Sequence, residues 1–139
     1  LVISVGGVTL SETHWSGSSI GDNDGSLLQL RLPRQDPNKK PEIVAPGESV
    51  PVINNQNSWS IVDGTSASTV FVTGAIALLL ENSPELSSDN EQSNSDTVTQ
   101  IKQLILNSVK ARDGQEGHDD NYGYGLLQIN DLLIASGSV

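Results

Sequence analysis

A short polar turn that runs directly into a long apolar segment constrains this chain more than any other feature of its sequence. The turn is Asp63-Gly64-Thr65-Ser66-Ala67-Ser68-Thr69, and the apolar segment continues from Val70 to Glu81 before it stops at Asn82-Ser83-Pro84. Hydroxyl side chains typical of helix starts stand in the turn, and no proline interrupts the segment. The pattern predicts a helix from about Ser66 to Glu81. Because the segment is apolar on nearly every side, we expect this helix to be buried all round.

The hydroxyl groups of Thr65, Ser66 and Ser68 allow two interpretations. Each could simply cap the helix by accepting a hydrogen bond from a free backbone N–H. A serine at a helix start is also well placed to be a nucleophile, because the helix N-terminus carries about half a positive charge. Its own N–H then faces the position of a developing oxyanion. Gly64 would let a substrate or a neighbouring strand approach closely. The turn alone leaves both interpretations open.

Composition narrows the possible functions. Acidic residues number 17 against 7 basic ones, which gives a net charge of −10 and disfavours nucleic-acid binding. The absence of cysteine excludes a disulfide framework and a thiol nucleophile. No apolar run has the length of a membrane span, and no signal-peptide pattern is visible. The 139 residues suffice for one domain with a real core.

The start of the chain predicts that more protein belongs with it. The sequence contains no methionine and opens on an apolar, β-branched run, Leu1–Val5, which predicts a buried strand that ends at Gly6-Gly7. We therefore expect a processed product or a piece of a larger protein. A strand at the very start would need neighbours from the missing part.

Further extended segments are predicted from apolar runs between turn residues: an edge strand at Leu27–Leu32, a strand within Pro41–Gly47, and two arms at Val50–Ile53 and Trp59–Val62. The turn Asn54–Asn57 joins the two arms as a hairpin. This hairpin delivers the chain to Asp63 and the polar turn.

Two more helices are predicted after the apolar one. The first begins at Ser95 or Asp96, follows a polar loop at Ser87–Ser95, and ends at Gly114. Its apolar face comprises Val98, Ile101, Leu104, Ile105 and Val109. The last helix runs from about Leu127 to Ala135, with Gly137 as its stop. The alternation of strands and helices predicts an α/β fold.

Four segments match the motifs of one known family, in order and with plausible gaps. Gly64-Thr65-Ser66 before an apolar helix resembles the serine motif of the subtilisin-like serine proteases, the subtilases. The segments Lys40–Gly47, Val2–Gly6 and Tyr124–Asn130 are similar to the family's Ala-Pro-Gly strand, its Val-Gly strand and its closing Gly-x-Gly segment. Together they cover nearly the whole chain. Residues 1–139 are therefore identified as the C-terminal portion of a subtilase catalytic domain.

The resemblance implies a three-layer α/β fold with a mainly parallel sheet and a buried central helix that carries the serine. It implies that Ser66 is the nucleophile, that Thr65 lies beside the oxyanion site, and that Gly64 lies against the substrate. In the family, a His takes the serine proton, an Asp orients the His, and an Asn helps to hold the oxyanion. All three precede the Val-Gly strand. The implied partner is therefore the N-terminal half of the same domain.

The turn departs from the family pattern in two places. Ala67-Ser68 stands where Met-Ala is usual, and Val70-Phe71 stands where Pro-His is usual. That histidine is not the catalytic one, so we expect the change to affect packing rather than chemistry. Ala67-Ser68-Thr69 is also similar to kexin-like and sedolisin-like relatives, but the Ala-Pro-Gly strand favours the subtilisin branch.

The histidines and the acidic loops give weaker signals. His14 lies beside Trp15 in a Ser/Gly loop and His118 lies in an acidic loop, so neither has the family's catalytic context and both are interpreted as solvated. The segment Asp22–Gly25 lacks the glutamate of a calcium loop and predicts a turn. A structural calcium ion could be held by a second set, Asp113, Asp119, Asp120 and Asn121, which could equally be solvated. No cofactor or catalytic metal is expected to be required.

Two functions from different classes remain. The chain could be the serine-bearing part of a serine endopeptidase that acts on peptides or proteins, located outside the cell or in the cell envelope as the resemblance implies. It could instead be an inactive pseudoprotease or a structural or binding fragment with the same fold. The presence of Ser66 favours the first. The residues that precede Leu1 would separate the two.

Overall fold

The computed structural model describes residues 2–25, 33–87 and 95–137. These residues form strands β1 (Val5–Val8), β2 (Ile43–Pro46), β3 (Val50–Ile53) and β4 (Trp59–Val62), and helices α1 (Thr65–Asn82), α2 (Ser95–Asn107) and α3 (Ile129–Ala135). A short 3₁₀ helix, Pro84–Leu86, follows α1. The edge strand predicted at Leu27–Leu32 and most of the loop predicted at Ser87–Ser95 lie outside the described residues.

Strands β1 and β2 form a parallel pair at the centre of the molecule. Val5 pairs with Ile43 and Val8 pairs with Pro46. Every side chain from Ile43 to Ala45 is fully buried, as expected for a strand covered on both faces. The strand predicted within Pro41–Gly47 is therefore confirmed.

The first strand is displaced from its predicted position, because β1 begins at Val5 and runs through the glycine pair that was predicted to end it. Close packing explains why a glycine stands inside the strand at position 7. A Cβ on Gly7 would lie 3.0 Å from the ring of Trp15 and 3.4 Å from Ser68 Oγ. Gly7 therefore permits close packing inside the strand and does not mark a turn.

Strands β3 and β4 form the predicted antiparallel hairpin with the predicted bounds, Val50 pairing with Val62 and Ile53 with Trp59. The side chain of Asn54 organises the connecting turn. Its Oδ1 accepts hydrogen bonds from the N–H groups of Gln56, at 2.9 Å, and Ser58, at 3.1 Å. Asn57 adopts a positive φ of 58°, a conformation that asparagine tolerates better than most residues.

Helix α1 has the predicted extent, but the described residues bury only one of its faces. The buried residues of α1 are Ser68, Val72, Ala75 and Leu79, which recur at helical spacing and pack over the β1–β2 pair. On the other side, Val70 is 69% exposed and Leu78 is 44% exposed. The expectation of burial all round does not hold within this chain. The residue before the helix is Gly64, and no side chain caps its first turn, so of the two interpretations left open for the turn hydroxyls, capping is the one that the structure does not have.

Helices α2 and α3 complete the core around Ile105 and Leu132, both essentially inaccessible to solvent. Helix α2 ends at Asn107 instead of near Gly114, because the chain turns to form a bridge between Lys110 and Leu126. Of the predicted apolar face, Ile101, Leu104 and Ile105 pack into the core, whereas Val98 is 48% exposed. Val109 lies beyond the end of the helix.

Helix α3 begins two residues later than predicted, at Ile129, because Leu127 donates its N–H to Val44 O and so extends the sheet. Gly137 follows the helix with a φ of 84°, which confirms the predicted stop. Within the described residues, no helix is both long and apolar enough to cross a membrane.

A buried ion pair, which was not predicted, ties α2 to Glu42, the residue that precedes β2. Lys102 Nζ lies 2.5 Å from Glu42 Oε1, and both side chains are at most 3% exposed. Glu42 Oε2 accepts a second ammonium, that of Lys40, at 2.7 Å, and also the backbone N–H of Ser4. Because each buried charge has partners, the helix can carry a lysine on its inner face.

Candidate active site at the start of helix α1

The polar turn is held against the end of β2 by hydrogen bonds and by close packing. Gly64 donates its N–H to Gly47 O at 2.7 Å, and Ser68 Oγ donates to Pro46 O at 3.1 Å. A Cβ on Gly47 would lie 2.6 Å from Ser68 Oγ and 3.1 Å from Gly7 Cα, so position 47 has no room for a side chain. The start of α1 therefore sits directly on the two central strands.

A second contact fixes the other end of the turn. Asp63 Oδ1 accepts a hydrogen bond from the backbone N–H of Ser49 at 2.7 Å, which joins the two ends of the β3–β4 hairpin. The turn is thus held by β2 on one side and by the hairpin on the other. Such support from rigid elements is what a precisely placed reactive group requires.

Ser66 occupies the second position of α1, and its side chain is exposed. Among the described residues, neither its Oγ nor its backbone N–H has a hydrogen-bond partner, although its neighbours Ala67 and Ser68 both donate to Gly64 O. A free N–H at this point is expected, because the first turn of a helix has no internal acceptors. The Ser66 hydroxyl and its N–H are therefore both available to a ligand.

Ser66 lies on the wall of an open apolar groove of about 780 Å³. One wall is the exposed face of α1, with Val70, Phe71 and Leu78, and the other is the inner side of the hairpin, with Val50 and Val62. The groove contains few polar groups besides Ser66, so the hydroxyl stands at the edge of an apolar surface.

Thr65 and Gly64 differ from Ser66 in their surroundings. Thr65 faces a separate polar pocket of about 320 Å³, shared with Ser4 and Arg34, and its C=O accepts from Thr69 Oγ1 at 2.9 Å. Gly64 adopts a φ of 157°, and the nearest atom to a Cβ placed there would be Ser66 N at 3.7 Å. Within the chain, Gly64 thus serves backbone conformation. The glycines that permit close approach of strands are Gly7 and Gly47, which sequence reasoning missed.

Both histidines are packed, so their interpretation as solvated residues was wrong. The side chain of His118 is 3% exposed, and its Nε2 lies 2.8 Å from Pro41 O. His14 packs edge-on against Tyr122, and its Nε2 is buried with no hydrogen-bond partner in the described part of the chain. Aromatic neighbours on distant segments cover them, which local composition does not reveal. Neither histidine lines the groove that contains Ser66.

Two of the three carboxylates considered for calcium, Asp119 and Asp120, are hydrogen-bonded within the protein. Asp119 Oδ1 accepts from the N–H groups of Asn121 and Tyr122, at 2.8 and 3.0 Å. Asp120 Oδ1 accepts from Asn23 Nδ2 at 2.6 Å, and Asn23 also bonds to both backbone groups of Lys40. In residues 2–25, 33–87 and 95–137, no three His, Asp or Glu side chains are grouped so that they could hold a metal ion.

Among the described residues, three groups away from the groove have shifted pKa values. The Tyr124 hydroxyl, and then Lys39, hold the pKa of Asp36 below its usual value by hydrogen bonding to the carboxylate. Burial, with the hydrogen bond to Asp36, raises the pKa of Tyr124. A hydrogen bond to Glu12 raises the pKa of Lys110. None of these groups lines the Ser66 groove.

Comparisons with known proteins agree on the fold. The family model for the subtilase family matches residues 1–125. The protease CspB of Clostridium perfringens superposes with a TM-score of 0.72 at 23% identity, over 99% of this chain and 27% of that chain. The patellamide maturation protease PatA gives 0.63 at 21% identity, over 99% of this chain and 44% of that chain.

Fervidolysin from Fervidobacterium pennivorans, a keratinolytic enzyme related to subtilisin, gives a TM-score of 0.61 at 22% identity, over 96% of this chain and 19% of that chain. The chain therefore spans less than half the length of each of these relatives. A search of the curated proteins found no similar sequence. The match to the family model extends from the first residue to the Gly-x-Gly segment and includes the serine turn, and on that ground the chain belongs to the subtilase family.

Proposed function

We propose that the chain is the serine-bearing part of a subtilisin-like serine endopeptidase and that Ser66 is its nucleophile. The observation that carries the proposal is the free Oγ and free N–H of Ser66 at the start of a helix, held by the central strands on one side and by the hairpin on the other. Family membership supports the same reaction class. The substrate is a peptide or protein.

The reaction follows from what a serine in this position can do. Ser66 Oγ attacks the carbonyl carbon of the scissile peptide bond while a base removes the hydroxyl proton. The carbonyl oxygen becomes an oxyanion, which the Ser66 N–H stabilises at the positive end of α1. The C–N bond then breaks, the leaving amine takes the proton, and water hydrolyses the acyl-enzyme. On the family resemblance alone, we assign Thr65 to the neighbourhood of the oxyanion and Gly64 to the substrate, although in this chain Thr65 faces a separate pocket.

The base is supplied by another part of the protease domain. The chain has only two histidines, and His14 and His118 pack against tyrosines away from the groove. A serine without a base is a poor nucleophile near neutral pH. We assign the base His, the Asp that orients it and an oxyanion-binding Asn to the N-terminal half of the domain.

Two observations support that partner. The relatives are between about two and five times longer than the stretch that this chain matches, as the coverage of 44% and 19% indicates. The apolar groove on α1 also offers the N-terminal half a surface to cover, with Val70 69% exposed and Phe71 38% exposed. The reaction requires no cofactor, and a calcium ion, if present, is structural. The resemblance to the family implies that the protease acts outside the cell or in the cell envelope.

Activity assays on the complete domain and on this chain test the proposal. The complete domain should cleave a peptide substrate, and Ser66→Ala should lower kcat by about 10⁶-fold, the loss typical of a removed serine nucleophile. Ser58→Ala, a change of another exposed serine, should leave activity intact. The chain 1–139 alone should be inactive.

Two outcomes would contradict this account. Turnover by the isolated chain that Ser66→Ala abolishes would mean that the base lies within these 139 residues. An inactive complete domain with its His and Asp in place would instead favour a pseudoprotease or a binding fragment.

A further inference from the structure

A second pocket lies away from Ser66, beside the end of strand β1. It has a volume of about 230 Å³, and none of its lining residues is shared with the groove that contains Ser66. Val8 and Val44 contribute from the two central strands, and Arg112 and Tyr122 contribute from the chain between α2 and α3. We call this cavity the Arg112 pocket.

The base of the Arg112 pocket is apolar and firmly held. Val8, Val44 and Tyr122 form a small core cluster, Leu126 packs against it, and all four line the pocket. Two backbone hydrogen bonds join Leu126 to Lys110, from Lys110 N–H to Leu126 O at 2.8 Å and from Leu126 N–H to Lys110 O at 2.9 Å. The base is therefore part of the folded core and is present before any ligand binds.

Arg112 stands at the rim of the pocket with its guanidinium over the face of Tyr122. The distance from Arg112 Cζ to the ring centroid is 4.2 Å, which is within the range of a cation–π interaction. No carboxylate in residues 2–25, 33–87 and 95–137 forms an ion pair with Arg112. The ring thus holds the plane of the guanidinium, and the N–H groups along its edge stay available to an acceptor.

The two carboxylates that line the pocket act on Lys110 instead. Lys110 Nζ lies 2.8 Å from Glu12 Oε2, and both side chains are more than half exposed. The hydrogen bond to Glu12, and to a smaller extent the charge of Asp113, raise the pKa of Lys110. Glu12 and Asp113 therefore balance the charge of the lysine, and Arg112 is left as the cation with no acidic partner in the pocket.

Size and charge together define the kind of ligand that fits. Pockets for drug-sized molecules occupy about 300–1,000 Å³, so a smaller cavity admits a ligand of about one amino-acid residue. The planar fork of an arginine matches a carboxylate through two parallel hydrogen bonds. The apolar base suits a short aliphatic group next to that carboxylate. A doubly charged phosphate is disfavoured, because Glu12 and Asp113 line the same pocket.

We propose that the Arg112 pocket binds a small carboxylate that carries an apolar side chain, as found in a free amino acid or at the C-terminus of a peptide. The carboxylate pairs with Arg112, and the side chain packs on Tyr122 and Leu126. The site is separate from the proposed nucleophile, and the inference does not rest on the proposed function.

An NMR titration of the complete domain with three small probes tests the ligand class. N-acetyl-leucine should shift the backbone amide signals of residues 110–113 and 122–126, with a Kd of about 1 mM, as expected for so few atoms. N-acetyl-leucinamide has the same side chain but no charge, and it should bind about tenfold more weakly or less.

Free leucine distinguishes the two sources of the carboxylate. Tighter binding of leucine than of N-acetyl-leucine would identify a free amino acid, whose ammonium group the carboxylates of Glu12 and Asp113 can accept. Equal or weaker binding of leucine would identify the C-terminus of a peptide. Both results support a carboxylate site.

Substitutions at Arg112 test the residue. Arg112→Gln should weaken binding of N-acetyl-leucine about tenfold or more, and Arg112→Lys, which keeps the charge but loses the fork, should have an intermediate effect. Lys39→Gln is the matched control, because it removes the same charge from a lysine that pairs with Asp36 outside the pocket, and it should not change the Kd. Ser66→Ala should not change it either, whether or not Ser66 is a nucleophile.

Three results would overturn the inference. The first is the absence of shifts at these amides with N-acetyl-leucine at about 50 mM, well above the expected Kd. The second is equal affinity for N-acetyl-leucine and its uncharged amide. The third is an unchanged Kd in Arg112→Gln. Because the Arg112 side chain is exposed, its substitution should leave the fold intact, and amide signals outside the pocket report whether it does.

Discussion

The two faces of helix α1 are both apolar in sequence but differ in what covers them. On the inner face, Val72, Ala75 and Leu79 are at most 3% exposed and pack over the central strands. On the outer face, Val70 and Leu78 are 69% and 44% exposed and line an open groove. The two serines of the first turn follow the same division. Ser68 is buried and hydrogen-bonded, whereas Ser66 is exposed and has no partner in the described chain.

This difference separates a structural role from a reactive one. A hydroxyl whose bond to a strand is satisfied and buried contributes to holding the helix start, and it has no access to a substrate. A hydroxyl that is free and beside a groove contributes little to stability and is available for chemistry. In the proposed function, the apolar outer face is the surface that the N-terminal half covers.

The largest difference in unfolding free energy is expected between substitutions of two adjacent leucines. Leu79→Asp places an unpaired charge in the core and should lower the free energy of unfolding by about 3–5 kcal/mol. Leu78→Asp, on the outer face, should cost about 1 kcal/mol or less in this chain. Urea unfolding of both variants measures the contrast. A soluble, fully folded Leu79→Asp variant would show that the inner face is not part of a core.

Two glycines provide the next contrast. Gly47→Ala would bring a Cβ within 2.6 Å of Ser68 Oγ and 3.1 Å of a backbone atom, so the start of α1 must shift. We expect a loss of about 1–3 kcal/mol in unfolding free energy. Gly74→Ala meets no atom within 4 Å in this chain. It should therefore stabilise α1 by about 0.5–1 kcal/mol.

Thermal unfolding of the two glycine variants tests whether Gly47→Ala lowers stability and Gly74→Ala raises it. In the complete domain, the gain from Gly74→Ala should disappear if the N-terminal half packs closely on the outer face. Equal effects of both substitutions would contradict the assignment of an inner and an outer face.

The smallest effects on stability are expected for substitutions of the two serines, Ser66 and Ser68. Ser68→Ala removes the hydrogen bond to Pro46 O and should cost about 1 kcal/mol of stability. Ser66→Ala removes no contact within the described chain and should change stability by less than about 0.5 kcal/mol. Chemical denaturation at equilibrium distinguishes the two. A larger loss at Ser66 would show that its hydroxyl has a structural partner.

The sequence predicted those features that depend on local patterns. The hairpin, the extent of α1 and the stop at Gly137 follow from turn residues and apolar periodicity, and the structure has them at the predicted positions. The turn also predicted Ser66 as the nucleophile, and that assignment stays a prediction. Features that depend on distant contacts were missed. Gly7 was interpreted as a strand end because its need for space arises from Trp15 and Ser68, which lie elsewhere in the sequence.

The same limitation explains the other errors. His118 is covered by Tyr124 and bonded to Pro41 O, neither of which is implied by its acidic neighbours. The ion pair between Lys102 and Glu42 joins residues 60 positions apart. Burial of α1 on all sides was predicted from its apolar composition. Composition does not indicate whether the residues that bury the helix belong to the same chain.

Labelling of the complete domain with an active-site-directed fluorophosphonate, followed by mass spectrometry, tests the central claim most directly. Ser66 should carry the label, because its hydroxyl is free and exposed beside the groove. Ser68 should not, because it is buried, bonded to Pro46 O, and about 200° around the helix from Ser66. Removal of the oxyanion Asn should slow labelling by about a hundred- to a thousand-fold without changing the labelled residue. Label on Ser68, or no label while the His and Asp are in place, would contradict the assignment of Ser66.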